Sequence, residues 1–292
     1  MESKATHLLS AQAHLGEGAI WDGHSQRLFW IDIYGESLHI FDPATGQNRQ
    51  FAVGQPVGTV VLCESGGVML AVRDGFARFD LESEQLTVVT DPESHLPDNR
   101  FNDGKCDPAG RFWAGTISMI GESQAAALYR LDADLSVTKM MSSITVSNGI
   151  VWSHDYKTMY YIDTPTREIA AFDYDLATGA ISNRRVAVSV APELGFPDGM
   201  TIDADGNVWV AMWEGYAVQC WNPVTGEHLH TVDVPVERVT SCAFGGSNLQ
   251  TLYITTANSG DRTFSKRASQ FAGDLFSIQL DIKGVPAFRF DG

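Results

Sequence analysis

Short apolar runs, each bounded by turn residues, recur along the whole chain. In the first group they cover residues 19–21, 28–32, 37–42 and 49–51. Between them stand His24-Ser25, Tyr34-Gly35 and Pro43-Ala44-Thr45-Gly46. Runs of this length between Gly, Pro, Asn, Asp and Ser clusters predict β-strands. The same grouping by fours continues through 60–62, 68–72, 76–80 and 86–89, then 105–106, 112–115, 128–132 and 137–140. Residues 150–152, 159–163, 169–173 and 181–185 form the next group, followed by 200–202, 207–211, 218–221 and 228–232. The last group is 243–244, 252–255, 274–278 and 287–290, and a lone strand at 6–9 precedes the first.

The groups share a phase. Asp198-Gly199 opens one of them, and a turn dipeptide of this kind means little alone. It recurs as Glu17-Gly18, Asn102-Asp103-Gly104 and Asn148-Gly149, with a polar residue at the sixth position: Asp22, Asp107, Ser153 and Asp203. Degenerate copies begin at Val57 and Thr240. The leading positions 17, 57, 102, 148, 198 and 240 are separated by 40, 45, 46, 50 and 42 residues. A period in that range points to a propeller or another repeat array. Six groups of four strands predict an all-β, six-bladed β-propeller with four-stranded antiparallel blades, in one domain over 1–292. A solenoid would want polar terminal caps, which the pattern lacks. Ring closure would add the strand near Thr6 to the edge of the last blade.

Composition narrows the function. A formal charge of −16 argues against nucleic acid and anionic membrane surfaces as partners and makes cation binding easy. Cys63, Cys106, Cys220 and Cys242 lie in four different repeats without a close pair, which suits buried small side chains. Residues 1–10 lack an apolar core of signal-peptide length, and no run approaches a membrane span, so a cytoplasmic location is expected.

In a propeller the first strand of each blade lines the central channel. Glu17, Val57, Asn102, Asn148, Asp198 and Thr240 then share one ring at the leading ends of those strands. Four of the six carry a carboxylate or carboxamide oxygen. Carboxylates crowded into a narrow channel repel one another unless a cation sits between them. Glu17 and Asp198 with the Asn148 carbonyl make an all-oxygen set suited to one hard divalent cation. A channel plugged by hydrogen-bonded polar residues is the metal-free alternative. The same face receives Arg100, Phe101 and Asp103, together with loops carrying Tyr34, Asp74, 118–124, Thr164, Trp213 and a long excursion over 258–271. Long loops beside a polar pocket often act as substrate lids. Arg100 could also be a solvated surface charge. Other catalytic patterns are absent: the eight histidines show no metal spacing, and there is no Gly-x-Ser-x-Gly elbow, dinucleotide fingerprint or phosphate loop.

Gly16-Glu17-Gly18, Arg100-Phe101-Asn102-Asp103-Gly104-Lys105, Ser147-Asn148-Gly149 and Pro197-Asp198-Gly199-Met200, in that order, resemble the regucalcin (senescence marker protein), gluconolactonase and luciferin-regenerating enzyme family. The resemblance covers essentially the whole chain. It implies a propeller with one divalent metal in the channel mouth (calcium, zinc, manganese or magnesium) and hydrolysis of sugar lactones. By motif match, Glu17, Asn148 and Asp198 would be metal ligands, while Arg100 and Asn102, with Asp103 close by, would bind the sugar. Animal members carry a Glu-Glu pair after Ala-Gly-Thr-Met, where this chain reads Ala114-Gly115-Thr116-Ile117-Ser118-Met119-Ile120, so one acidic substrate contact is expected to be missing.

Lactone hydrolysis suits the ring on physical grounds. A bound cation polarises a carbonyl, and Asp198 is the carboxylate best placed to take a proton from attacking water. Hydrolysis of a phosphotriester or another ester would use the same cation, and a non-catalytic calcium-binding propeller is the alternative outside enzymes.

Overall fold

The computed structural model describes residues 2–258 and 269–292. Its strands form six sheets around a central channel. The first blade runs Gly16–Asp22, Arg27–Asp32, Ser37–Asp42 and Gln47–Ala52 from the channel outward, each strand antiparallel to the next. Blades two, three and four repeat the plan, with innermost strands Val57–Leu62, Asn99–Cys106 and Ser147–Trp152. Phe196–Ile202 and Val239–Gly245 are the innermost strands of blades five and six.

The core is divided among the seams between blades. Ile20, Phe29, Val57 and Leu70 fill the seam between blades one and two. Phe76, Phe101 and Phe112 fill the next, and Trp113, Ile150 and Met159 the one after. Tyr160, Met200 and Val208, then Trp209, Cys242 and Ile254, then Trp30, Trp21 and Tyr253 complete the circle. A middle strand of a blade is therefore covered on both faces, which is why its sequence reads as a continuous apolar run. The second-strand aromatics Trp30, Trp113, Tyr160, Trp209 and Tyr253 are buried, and all four cysteines are buried and free. Each large side chain removed from water in this way contributes about 1.5–3 kcal/mol.

Polar residues at the sixth position have a local structural job. Asp203 accepts from the backbone N–H groups of Asp205 and Asn207, and from Trp209 Nε1 at 2.9 Å. Asp107 does the same with Ala109, Arg111 and Trp113. One carboxylate thus closes the turn after the inner strand and pins the tryptophan of the second strand.

The ends of the chain differ from expectation in two places. Thr6–Leu9 does close the ring, pairing antiparallel with Leu275–Gln279 as the outer strand of blade six. Residues 287–290, expected in that place, form no strand there. Their segment crosses the far end of the channel instead: Gly284 bridges to Asp203, and Phe290 to Cys63. Once residues 6–9 hold the blade-six edge, the apolar Phe290 is buried between blades two and three. Blade five also gains a fifth strand, Glu2–Lys4, lying parallel to His228–Asp233. The amino-terminal segment therefore clamps two neighbouring blades. No helix among the described residues is long and apolar enough to cross a membrane.

Candidate active site and metal centre

Every inner strand carries one extra residue relative to its neighbour at, or just beside, the ring position. Register shifts fall between Glu17 and Ile20, Val57 and Thr59, and Phe101 and Gly104. The other three fall between Ser147 and Ile150, Pro197 and Met200, and Val239 and Ser241. A bulge breaks the in–out alternation and re-aims a side chain. Glycines beside the bulges let the strands crowd together. A Cβ on Gly58 would lie 2.5 Å from the Asn102 carbonyl, and one on Gly199 would lie 2.7 Å from that of Thr240. Repeated bulges and missing side chains bring the ring residues toward one axis.

Four blades supply its polar side. Arg100 Nη1 donates to Asn102 Oδ1 at 2.8 Å, and Asn102 Nδ2 donates to Asn148 Oδ1 at 3.0 Å and to the Ser147 carbonyl at 2.7 Å. Asn148 Nδ2 donates to Thr164 Oγ1 at 2.7 Å, and Thr164 donates to the Pro197 carbonyl at 2.8 Å, beside Asp198. This chain of bonds fixes which way both amides face. Arg100 is 3% exposed and lies over the Tyr34 ring at 5.3 Å, so it is part of the site wall rather than a solvated surface charge. Val57 and Thr240 close the remaining positions. Thr240 is tied to the Gly16 carbonyl and Thr255.

The carboxylates are poorly satisfied. Gly18 N donates to Glu17 Oε2 at 3.1 Å, and Gly104 N to Asp103 Oδ1 at 2.7 Å. Asp103 Oδ2 and Arg100 Nε are buried without a hydrogen-bond partner. Burial, with the Asp103 charge second, pushes Glu17 up to about 8. Asp198 is held well above the usual carboxylate range by burial and then by Glu17 and Asp103, and burial also raises Asp103. Arg100 opposes the rise at Glu17 and Asp198, while Lys105 opposes it at Glu17 and Asp103.

Among the described residues, no group of three or more His, Cys, Asp or Glu side chains is arranged to hold a metal ion. The expected ligand set is of another kind, two carboxylates and one carboxamide oxygen. Its chemistry fits a hard divalent cation, because buried, mutually repelling acids with an unpaired oxygen nearby lack positive charge.

Glu17, Arg100, Asn102, Asp103, Asn148 and Asp198 thus meet in one electrostatic and hydrogen-bonded unit. Tyr34 and Thr164, foreseen only as loop residues, back Arg100 and Asn148. Lys105 acts on the acids through its charge, which a lone lysine on a channel-lining strand could have signalled. In the 118–124 loop, Ile120 is 68% exposed. Most of the 258–271 excursion lies outside the described residues.

The SMP-30/Gluconolactonase/LRE-like region matches residues 15–258. YvrE of Bacillus subtilis (strain 168), provisionally named a sugar lactone lactonase, is 41% identical over 96% of this chain and 96% of its own length. Regucalcin of Gallus gallus is 39% identical over 97% of each chain. Among solved structures, a luciferin-regenerating enzyme superimposes with a TM-score of 0.92 at 30% identity, covering 99% of this chain and 100% of that one. A calcium-binding regucalcin from Agrobacterium tumefaciens also gives 0.92, at 28% identity, covering 99% of this chain and 98% of its own.

Proposed function

The chain belongs to the SMP-30/Gluconolactonase/LRE-like family, and from that membership we propose that it is a divalent-metal-dependent lactonase opening a sugar lactone to its aldonic acid. The observation that carries the proposal is the ring itself. Three buried acids short of positive charge adjoin an arginine–asparagine hydrogen-bond network, whose side chains would hold hydroxyl groups.

Glu17, Asn148 and Asp198 are the residues that would hold the cation. When bound, calcium, zinc, manganese or magnesium would polarise the lactone carbonyl toward attack by water. Arg100 and Asn102 bind ring hydroxyls and fix the carbonyl in attack geometry, which lowers the entropic part of the barrier. The unpaired Asp103 Oδ2 accepts a further hydroxyl. Asp198 takes a proton from the attacking water as its oxygen bonds to the carbonyl carbon. The ring C–O bond then breaks, and the proton passes to the leaving oxygen. The product anion is repelled by the acids and departs.

The calcium-binding relative favours a second reading, a propeller that holds the cation without turnover. One assay separates the two. Metal-stripped protein, re-supplied with single cations, is tested for acid release from a panel of aldonolactones and a phosphotriester, with the no-enzyme rate subtracted. Cation-dependent opening of aldonolactones is expected. Preference for the phosphotriester would reassign the substrate, and cation binding without release of acid would leave the non-catalytic reading.

A further inference from the structure

The channel has a second end. Residues 19, 105, 151, 201 and 243 lie two or three positions beyond the ring on their inner strands, about 7–10 Å deeper at strand spacing. They border a chamber of about 380 Å³ with residues 285–288 as its floor. That floor is anchored on both sides: Gly284 N donates to the Leu249 carbonyl and Phe290 N to that of Leu62, each at 2.8 Å. The volume falls in the range of small-molecule sites.

Its walls are unlike the ring. Trp21, Trp152, Tyr156, Phe244 and Phe288 contribute aromatic surface, and Tyr156 meets Phe288 edge-on at 5.8 Å. A sugar lactone would leave hydroxyl groups unpaired against such walls, which is costly. Lys105 brings a cation into this lining. It makes no ion pair among the described residues, and its charge reaches Glu17 and Asp103. His154, the other basic side chain, is held by Nε2 on the Asp203 carbonyl at 2.8 Å.

We propose that this chamber is a second binding site, for a flat, mostly apolar molecule carrying one anionic group such as an aryl carboxylate or sulfonate. Aromatic walls favour the planar body, and the Lys105 ammonium meets the anion in surroundings where a charge-assisted contact is strong. The site does not depend on the lactonase reading, because none of its lining residues belongs to the ring.

Fluorescence titration with anilinonaphthalene sulfonate tests it on the full chain. Saturable binding at one dye per chain is expected, unchanged by a saturating aldonolactone. Lys105→Met keeps the apolar stem and should weaken the dye about tenfold, while leaving neutral anilinonaphthalene unaffected. Ala243→Phe should remove binding by filling the chamber, with thermal melting verifying the fold. Equal affinity in both variants, competition by the lactone, or non-saturating binding would each overturn the proposal.

Discussion

Two sets of buried acids stand at opposite ends of the same inner strands. At the turn end, Asp107 accepts from the backbone N–H groups of Ala109 and Arg111, and from Arg111 Nε, Trp113 Nε1 and Tyr174 Oη. At the ring end, Glu17 and Asp103 each accept from one neighbouring N–H, and Asp103 keeps an oxygen without a partner. Burial alone therefore does not mark a functional acid. The turn acids are satisfied by the chain and hold the blade. The ring acids are left short of positive charge, and folding tolerates them because six seams of apolar packing carry the stability.

Asp107 gives the largest expected effect. Asp107→Ala strands the buried Arg111 guanidinium and should cost about 3–5 kcal/mol of stability, with turnover per folded molecule unchanged. Denaturant melts paired with active-site titration check this, and a loss of turnover without loss of stability would erase the distinction. Asp198→Asn should do the reverse. In the proposed mechanism the variant keeps an oxygen ligand but cannot take a proton, so kcat should fall by about 10²-fold or more at saturating cation, with no loss of folding stability. Near-normal kcat would move the base to another group, with Asp103 the next candidate.

Arg100→Ala sharpens the picture on the substrate side. The proposed cation ligands and base remain, so KM should rise about tenfold with a smaller change in kcat. An unchanged KM would remove Arg100 from the sugar contacts. The smallest effect concerns pH. Glu17 is raised from 4.5 to about 8 in the cation-free chain, so the folded state holds that proton more tightly than the unfolded one. The resulting stabilisation is full below pH 4.5 and is lost as pH rises through about 8. Thermal melts of chelated protein should therefore drop by several degrees across that window, and Glu17→Gln should reduce the drop, with Asp198 and Asp103 supplying the remainder. A flat profile in the parent chain would mean that Glu17 is already satisfied.

Much of this was legible in the sequence because a repeat exposes its own phase. Glu17, Asn102, Asn148 and Asp198 stood out by position, and their common ring follows once six inner strands are counted. The devices that aim them were not legible. A bulge leaves no composition signal, and Gly58 or Gly199 reads as a turn residue until the neighbouring strand is seen against it. The strand at 6–9 was expected at the blade-six edge, but 287–290 is an equally strand-like run, and local pattern could not show that it would be left out of the blade. That choice rests on contacts between residues far apart in the chain. The sixth-position polar residues were noticed without their partners, because the tryptophan that Asp203 binds lies on the next strand. Lys105 was read as part of a motif, although its place in the channel makes it a charge shared by both ends.

Under the proposed function, the acids left unsatisfied by the fold belong to a cation. Calorimetric titration of metal-stripped protein with calcium, zinc, manganese and magnesium, repeated in buffers of different ionisation enthalpy, measures both the binding and the protons it displaces. One cation per chain with proton release near neutral pH is expected, because Glu17 and Asp198 must give up protons to bind it. Asp198→Asn should reduce the release, and Asp107→Ala should leave it unchanged. Binding without proton release, or identical titrations in the parent and Asp198→Asn proteins, would contradict the account.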